Sequence, residues 1–143
     1  MTKQVGWKEW VELPDLGIKH LRCKVDTGAK NSALHAFELT TFEKKAQQWV
    51  RFSIHIDESD LSKVKQCEAK VEDVRAVSDS GGNVTTRYFI ETTLKIGGHK
   101  LLVPISLTSR DTMAFKMLLG RSALRKAKFI VNPAKSFIQG NKS

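Results

Sequence analysis

The sequence predicts a mostly β domain, a barrel or sandwich of short strands, with one short helix near the C-terminus. Three observations carry that reading. Apolar and polar residues alternate over several stretches, the period of a strand with one face buried and the other wet. Turn-forming residues interrupt these stretches about every ten residues. Helical spacing is clear only over Arg121 to Lys128, where Ala123, Leu124 and Ala127 share a face. The 143 residues match the length of one domain, so 1–143 is read as a single unit able to bury about two thirds of the extended chain's surface. Hydrophobic residues at 41% and charged residues at 27% exclude wholesale disorder and a fibrous repeat.

Taken in order, Ile18 to Val25 reads as a strand with Leu21, Cys23 and Val25 on one side and His20, Arg22 and Lys24 on the other. It runs directly into Asp26-Thr27-Gly28-Ala29, so the strand ends at an aspartate in a turn. In Trp49 to Ile56, Val50, Phe52, Ile54 and Ile56 form the inward face. Val71 to Val77 and Val84 to Ile90 flank Ser78–Asn83, whose small polar residues and paired glycines suit the solvent-facing tip of a long hairpin. Tyr88 to Ile96 and Lys100 to Leu107 form a second hairpin through Gly97-Gly98, and Pro104 marks an edge or a bulge. Met117-Leu118-Leu119 is a short buried run stopped by Gly120 and followed by the helix. Phe129 to Val131 and Ser136 to Ile138 resume an extended pattern on either side of an Asn132-Pro133 turn.

The net charge is +9, and it is lopsided: residues 1 to 71 carry +2 and residues 72 to 143 carry +7. A surface of that sign concentrates polyanions without distinguishing nucleic acid, acidic polypeptide or anionic lipid. Cys23 and Cys67 are too few for a disulfide framework and read as reduced thiols in a cytosol-like compartment. No apolar run has the length of a membrane span, and Met1 to Trp10 lacks a signal peptide's hydrophobic stretch. A cytoplasmic protein without a membrane partner is the expectation.

An apolar strand ending in Asp-Thr-Gly-Ala, followed far downstream by Leu118-Leu119-Gly120 before a short helix, resembles the retropepsin class of aspartic peptidases. The likeness continues through Arg87-Tyr88-Phe89-Ile90-Glu91 and Ile96-Gly97-Gly98-His99-Lys100, covering most of residues 18 to 131. Gly6-Trp7-Lys8-Glu9-Trp10-Val11 and the block from Lys24 to Ala36 resemble, more closely, a bacterial retropepsin-like family that carries the label ATP-dependent zinc protease. The resemblance implies the acid-protease fold, a retropepsin-like closed β-barrel with one short C-terminal helix. It also implies an aspartic peptidase that needs no cofactor.

The chemistry has its own physical rationale. Amide hydrolysis without a metal or covalent intermediate needs one carboxylate to take a proton from water and one carboxylic acid to polarise the carbonyl. Two carboxyls about 3 Å apart cannot both ionise, so they share a proton. Asp26, Thr27 and Gly28 are the catalytic candidates. Gly28 lets the backbone turn tightly beside the reacting groups. By resemblance, the Thr27 hydroxyl hydrogen-bonds across the site between two such loops, and Leu118 and Leu119 pack beneath the aspartate loop with Gly120 giving clearance. Arg121 resembles the arginine that stabilises retroviral protease dimers; its alternative is a solvated arginine at a helix start.

Asp79-Ser80-Gly81 is rejected as a second catalytic loop: it lies too close to Asp26 for a lobe between them, lacks a long apolar strand leading in, and has no second Leu-Leu-Gly element. The expected second carboxyl is therefore Asp26 of another copy, across the two-fold axis of a homodimer. Ser78–Asn83 then acts as a flap, with Ser80, Gly81, Gly82 and Asn83 closing over a substrate that also meets Ala29. Arg87, beside the flap's return strand, either binds an acidic substrate group or is an ordinary edge-strand charge.

A zinc-dependent protease is a further alternative, but no His-Glu-x-x-His or Cys-x-x-Cys occurs, and His20 and Cys23 point to opposite faces of one strand. His35 is the sole metal-ligand candidate, set against a structural histidine bonded to backbone. Neither G-x-x-x-x-G-K-[ST] nor G-x-G-x-x-G is present to seat ATP. The apolar strand face of Cys23 favours packing over nucleophilic work, and Trp7, Trp10 and Trp49 read as core or rim aromatics. Two function classes follow. One is a dimeric aspartic endopeptidase for peptide or protein substrates, acidic or glutamate-rich ones suiting the charge, with a functional link to ATP-grasp ligases that add glutamates. The other is a non-catalytic β-barrel module for an acidic protein or, less favoured, nucleic acid.

Overall fold

The alternating stretches pair into a ring. In the computed structural model, which describes residues 3–57, 60–78, 81–109 and 115–140, the elements run β1 (Lys3–Val5), β2 (Lys8–Leu13), a 3-10 turn (Pro14–Leu16), β3 (Ile18–Val25), β4 (Ser32–His35), β5 (Phe37–Lys44), β6 (Gln47–His55), β7 (Val64–Lys70), β8 (Asp73–Ser78), β9 (Val84–Ile96), β10 (His99–Thr108), β11 (Met117–Leu119), α1 (Arg121–Ala127) and β12 (Phe129–Val131). The order β10–β4–β11–β3–β2–β9, with β9 pairing back onto β10, closes a six-stranded barrel. Closure removes the barrel's free edges. A second sheet, β5–β6–β7, lies in sequence between β4 and β8, and β1 pairs in parallel with β12.

Each barrel strand turns alternate side chains inward. Leu21, Cys23 and Val25 of β3 are buried and Lys24 is exposed, as the alternation of that stretch requires. They meet Leu34, Ile90, Leu94, Ile96, Val103, Ile105, Met117 and Leu119 in one core, which extends to Val50, Phe52 and Ile54 of β6. Burial of each large aliphatic side chain contributes about 1.5–3 kcal/mol, and the ring of strands distributes that gain around its circumference.

Strand β9 serves two structures at once. Its residues Tyr88 to Ile96 pair with β10, while Val84 to Phe89 pair antiparallel with β8, so the β8–β9 hairpin projects from the barrel wall. The β9–β10 turn uses Gly97 at φ +58°, a conformation that favours glycine. Pro104 stands in an unbroken β9–β10 register, one residue before β10 begins its parallel ladder with β4 at Ile105. It therefore marks a local edge and not a bulge.

Two expectations from the alternation are corrected. Ile56 is not on the inward face: β6 ends at His55, the chain turns so that the Ile56 N–H donates to the Lys63 carbonyl (3.2 Å), and the side chain is 42% exposed. Ser136 to Ile138 is a loop, held by a buried side chain instead of a strand partner. The Glu9 carboxylate, fully buried, accepts from the backbone N–H groups of Gly6 (2.6 Å), Ile138 (2.9 Å) and Gln139 (3.0 Å). Trp7 N–H donates to Lys135 O at 2.8 Å, and Phe137 N–H to Lys8 O at 2.9 Å. These bonds stitch the N-terminal strands to the segment after α1. Gly6 permits the approach, since a Cβ there would lie 2.2 Å from the Lys135 carbonyl oxygen.

Candidate active site

Asp26 stands where three elements converge. It follows the last residue of β3, which runs parallel to β11 with Val25 opposite Leu119. The Asp26 N–H extends that ladder by donating to Leu119 O (2.9 Å). The loop then folds onto its own side chain: Gly28 N–H donates to Asp26 Oδ1 (3.0 Å), and Ala29 N–H to the Asp26 carbonyl (3.2 Å). This short-range bonding is what an aspartate in a tight turn provides. Gly28 keeps the space open, because a Cβ would lie 3.2 Å from Oδ1.

The start of α1 fixes the outer side of the loop. Arg121 N–H donates to Ala29 O (2.8 Å), Ser122 N–H to Lys30 O (3.0 Å), and Arg121 Nη1 to Thr27 O (3.0 Å). Gly120 N–H donates to Oγ of the buried Ser32 (3.0 Å), and Ser106 Oγ donates to Ser32 O (3.3 Å). Backbones approach so closely here that a Cβ on Gly120 would sit 2.5 Å from the Asn31 carbonyl carbon. Leu119 is buried under the loop, while Leu118 faces the other way and lines a cleft. Thr27 is exposed; within the chain it is the Thr27 carbonyl that Arg121 engages.

That cleft has a volume of about 380 Å³. Asp26, Ala29, Lys30, Asn31 and Ala33 line one side, Leu118, Ser106 and Thr108 another, and Arg75, Arg87 and Phe89 of the β8–β9 hairpin a third. Among the described residues that line it, Asp26 is the sole carboxylate, facing three cationic side chains. Gly81, Gly82 and Asn83 are exposed at the far end of the hairpin, Gly82 at φ +83°. Ser80, with Asp79, lies outside the described residues.

Arg75 was not singled out by the sequence patterns, although its position two residues from Asp73 and directly across from Arg87 is a period-two signal. Arg75 Nε donates to Asp73 Oδ2 at 2.7 Å, and its guanidinium lies 4.4 Å from the Phe89 ring centroid. That hydrogen bond holds the Asp73 carboxyl below its ordinary range, assisted by the Val74 N–H. Lys30 and Asn31, within the block after the aspartate loop, also join the cleft.

Other candidates lie elsewhere. Burial pushes the Cys23 thiol up to about 12, which keeps it protonated and unsuited to nucleophilic attack. His35 is buried, with its ring stacked 5.8 Å from His55 and 6.2 Å from Phe37, and it does not line the cleft. Among the described residues no three His, Cys, Asp or Glu side chains converge in a way that could hold a metal ion. Trp10 stacks on Phe137 and the Trp7 backbone N–H donates to Lys135 O, which places both at the seam between the N-terminal strands and the segment after α1, while the Trp7 ring meets Phe115 edge-on.

Comparison with known proteins agrees with this geometry. A family model described as retropepsin-like aspartic endopeptidase RimB matches residues 4–142. A solved structure from Legionella pneumophila, of a protein of unknown function, superposes with a TM-score of 0.81 at 27% identity, covering 97% of this chain and 99% of that one. Proteins named probable alpha-L-glutamate ligase are also similar. The one from Shewanella halifaxensis is 36% identical over 139 residues, and the one from Desulfotalea psychrophila 39% over 132. These alignments cover 97% and 92% of this chain but only 30% and 28% of the ligases, so the chain spans less than a third of the curated relatives it matches. With a closed barrel, an Asp-Thr-Gly loop braced by Leu-Leu-Gly and a match along almost its whole length, the chain belongs to the RimB-like family of retropepsin-like aspartic endopeptidases.

Proposed function

We propose that the chain hydrolyses peptide bonds as a homodimer, with a water held between the Asp26 carboxyls of two copies. The observation that carries this reading is that Asp26, rigidly held and lining the cleft, has no second carboxylate opposite it among the described residues of its own chain. Gly28 N–H engages Oδ1, leaving Oδ2 to face a water. In the shared-proton pair, the ionised carboxylate takes a proton from that water as it attacks the carbonyl carbon, and the protonated partner donates to the carbonyl oxygen. Collapse of the tetrahedral intermediate then sends a proton to the leaving amine and returns the pair to its starting state. The β8–β9 hairpin serves as the flap that covers the substrate.

Lys30, Arg75 and Arg87 around the cleft, on a chain of net charge +9, favour an acidic or glutamate-rich substrate. The relatives named as glutamate ligases support a working link to an ATP-grasp ligase that adds glutamates to proteins, with this chain trimming what such an enzyme builds. The deciding experiment is Asp26→Asn, assayed on glutamate-rich peptides. It is expected to lower cleavage by at least about a thousandfold while leaving the circular dichroism spectrum and peptide binding unchanged. Undiminished cleavage would reject the carboxyl pair.

A further inference from the structure

Along the β8–β9 hairpin, alternate residues share a face. The register sets Asp73 opposite Phe89 and Arg75 opposite Arg87, so these four positions lie on one face, and Arg75, Arg87 and Phe89 all line the cleft that contains Asp26. Two arginines directly opposed across an antiparallel pair repel each other and weaken the hairpin. The chain nevertheless orients one of them: Asp73 fixes Arg75 at Nε, and the guanidinium is packed over Phe89. An arginine tethered through Nε keeps its terminal nitrogens for another acceptor. Among the described residues no carboxylate forms an ion pair with Arg87.

We infer that Arg75 and Arg87 form a two-guanidinium clamp that holds a carboxylate side chain of the substrate in the cleft beside Asp26. Arg75 and Arg87 are specificity-determining residues, and Asp73 is a positioning residue acting through Arg75. The occupant is a glutamate or aspartate side chain of a bound peptide, whose planar carboxylate accepts the paired N–H groups that a guanidinium presents. Binding this anion relieves the repulsion between the two arginines, so clamp and ligand stabilise each other. The clamp deepens the proposed peptidase function by naming what selects the substrate, and it rests on that reading only in taking the cleft as the peptide site.

The test separates binding from cleavage. A fluorescent glutamate-rich peptide and its glutamine counterpart are titrated by anisotropy against the full chain carrying Asp26→Asn. The clamp predicts that this chain prefers the glutamate peptide by tenfold or more. Adding Arg75→Gln or Arg87→Gln should weaken the glutamate peptide about tenfold and leave the glutamine peptide unchanged. Arg75→Lys, which keeps the charge but not the fork, should restore little of that loss. Asp73→Asn should weaken the same peptide less than Arg75→Gln does. Lys19→Gln, an exposed charge outside the cleft, is the control for net charge. Equal affinity for the two peptides, or an equal loss from Lys19→Gln, would overturn the clamp. If the arginine variants lose the preference while the unaltered chain cleaves nothing, the clamp stands and the peptidase reading falls. If cleavage is normal and the arginine variants keep the preference, the outcome is the reverse.

Discussion

Gly120 and Cys23 show how tightly single atoms set this site. The Gly120 amide meets Ser32 Oγ, and its α-carbon faces the Asn31 backbone at a distance no side chain fits. Gly120→Ala must push α1 away from the Asp26 loop, so it should cost about 2 kcal/mol or more in urea unfolding and reduce cleavage with it. Cys23 sits behind the same loop on β3. Burial pushes its thiol from an ordinary 9.0 up to about 12, so the stability associated with its neutral form is complete below pH 9. As pH rises above 9 the unfolded chain ionises first, and stability falls by about 1.4 kcal/mol per pH unit until the folded value is reached. Wild type should therefore lose roughly 1.5 kcal/mol relative to Cys23→Ala between pH 9 and 10.5, since the unfolded thiol is only half ionised at the start of that interval. Parallel stability curves would show that Cys23 ionises freely in the native state.

Among the elements, the seam between the chain's ends depends on Glu9. Glu9→Gln keeps one acceptor oxygen but turns an amide N–H₂ toward backbone donors, leaving buried N–H groups unmatched. The expected cost is about 2–3 kcal/mol, with faster amide exchange at Ile138 and Gln139 and unchanged exchange at Asp26. Equal protection at all three amides would contradict the account. On the β8–β9 hairpin, Asp73 has a depressed carboxyl, so its grip on Arg75 is complete above its ordinary value of 3.8 and is lost only as pH falls through the lower folded value. A carbon-13 titration of the Asp73 side chain should place its midpoint below 3.8, and Arg75→Gln should raise it.

These elements differ in how plainly the sequence announced them. β3, β6, the two hairpins and α1 were legible because each buries one face against the core, and burial imposes a period. β5 was not, since most of its residues are exposed and a kink at Glu38, with φ +53°, shifts its phase. β4 and β1 are too short to show a period. The Asp26 loop and Leu118-Leu119-Gly120 were legible as a motif. Arg75 and the Glu9 cluster were not, because their partners are brought in by strand register and by a loop more than a hundred residues away.

At the scale of the molecule, the closed barrel and the hydrogen bonds of its loop hold Asp26 at the cleft, and the β8–β9 hairpin brings Arg75 and Arg87 to the same cleft. The proposed hydrolysis asks one chain for half of a carboxyl pair, and a two-fold axis is the simplest operation that would supply the other half. Subunit mixing tests this most directly. Wild-type and Asp26→Asn chains are combined in varying ratio at constant total concentration, and cleavage of a glutamate-rich peptide is measured. If each productive site needs Asp26 from both copies, activity follows the square of the wild-type fraction, falling to about one quarter in an equal mixture. Activity that falls in direct proportion to the wild-type fraction would show that each chain carries out the reaction alone.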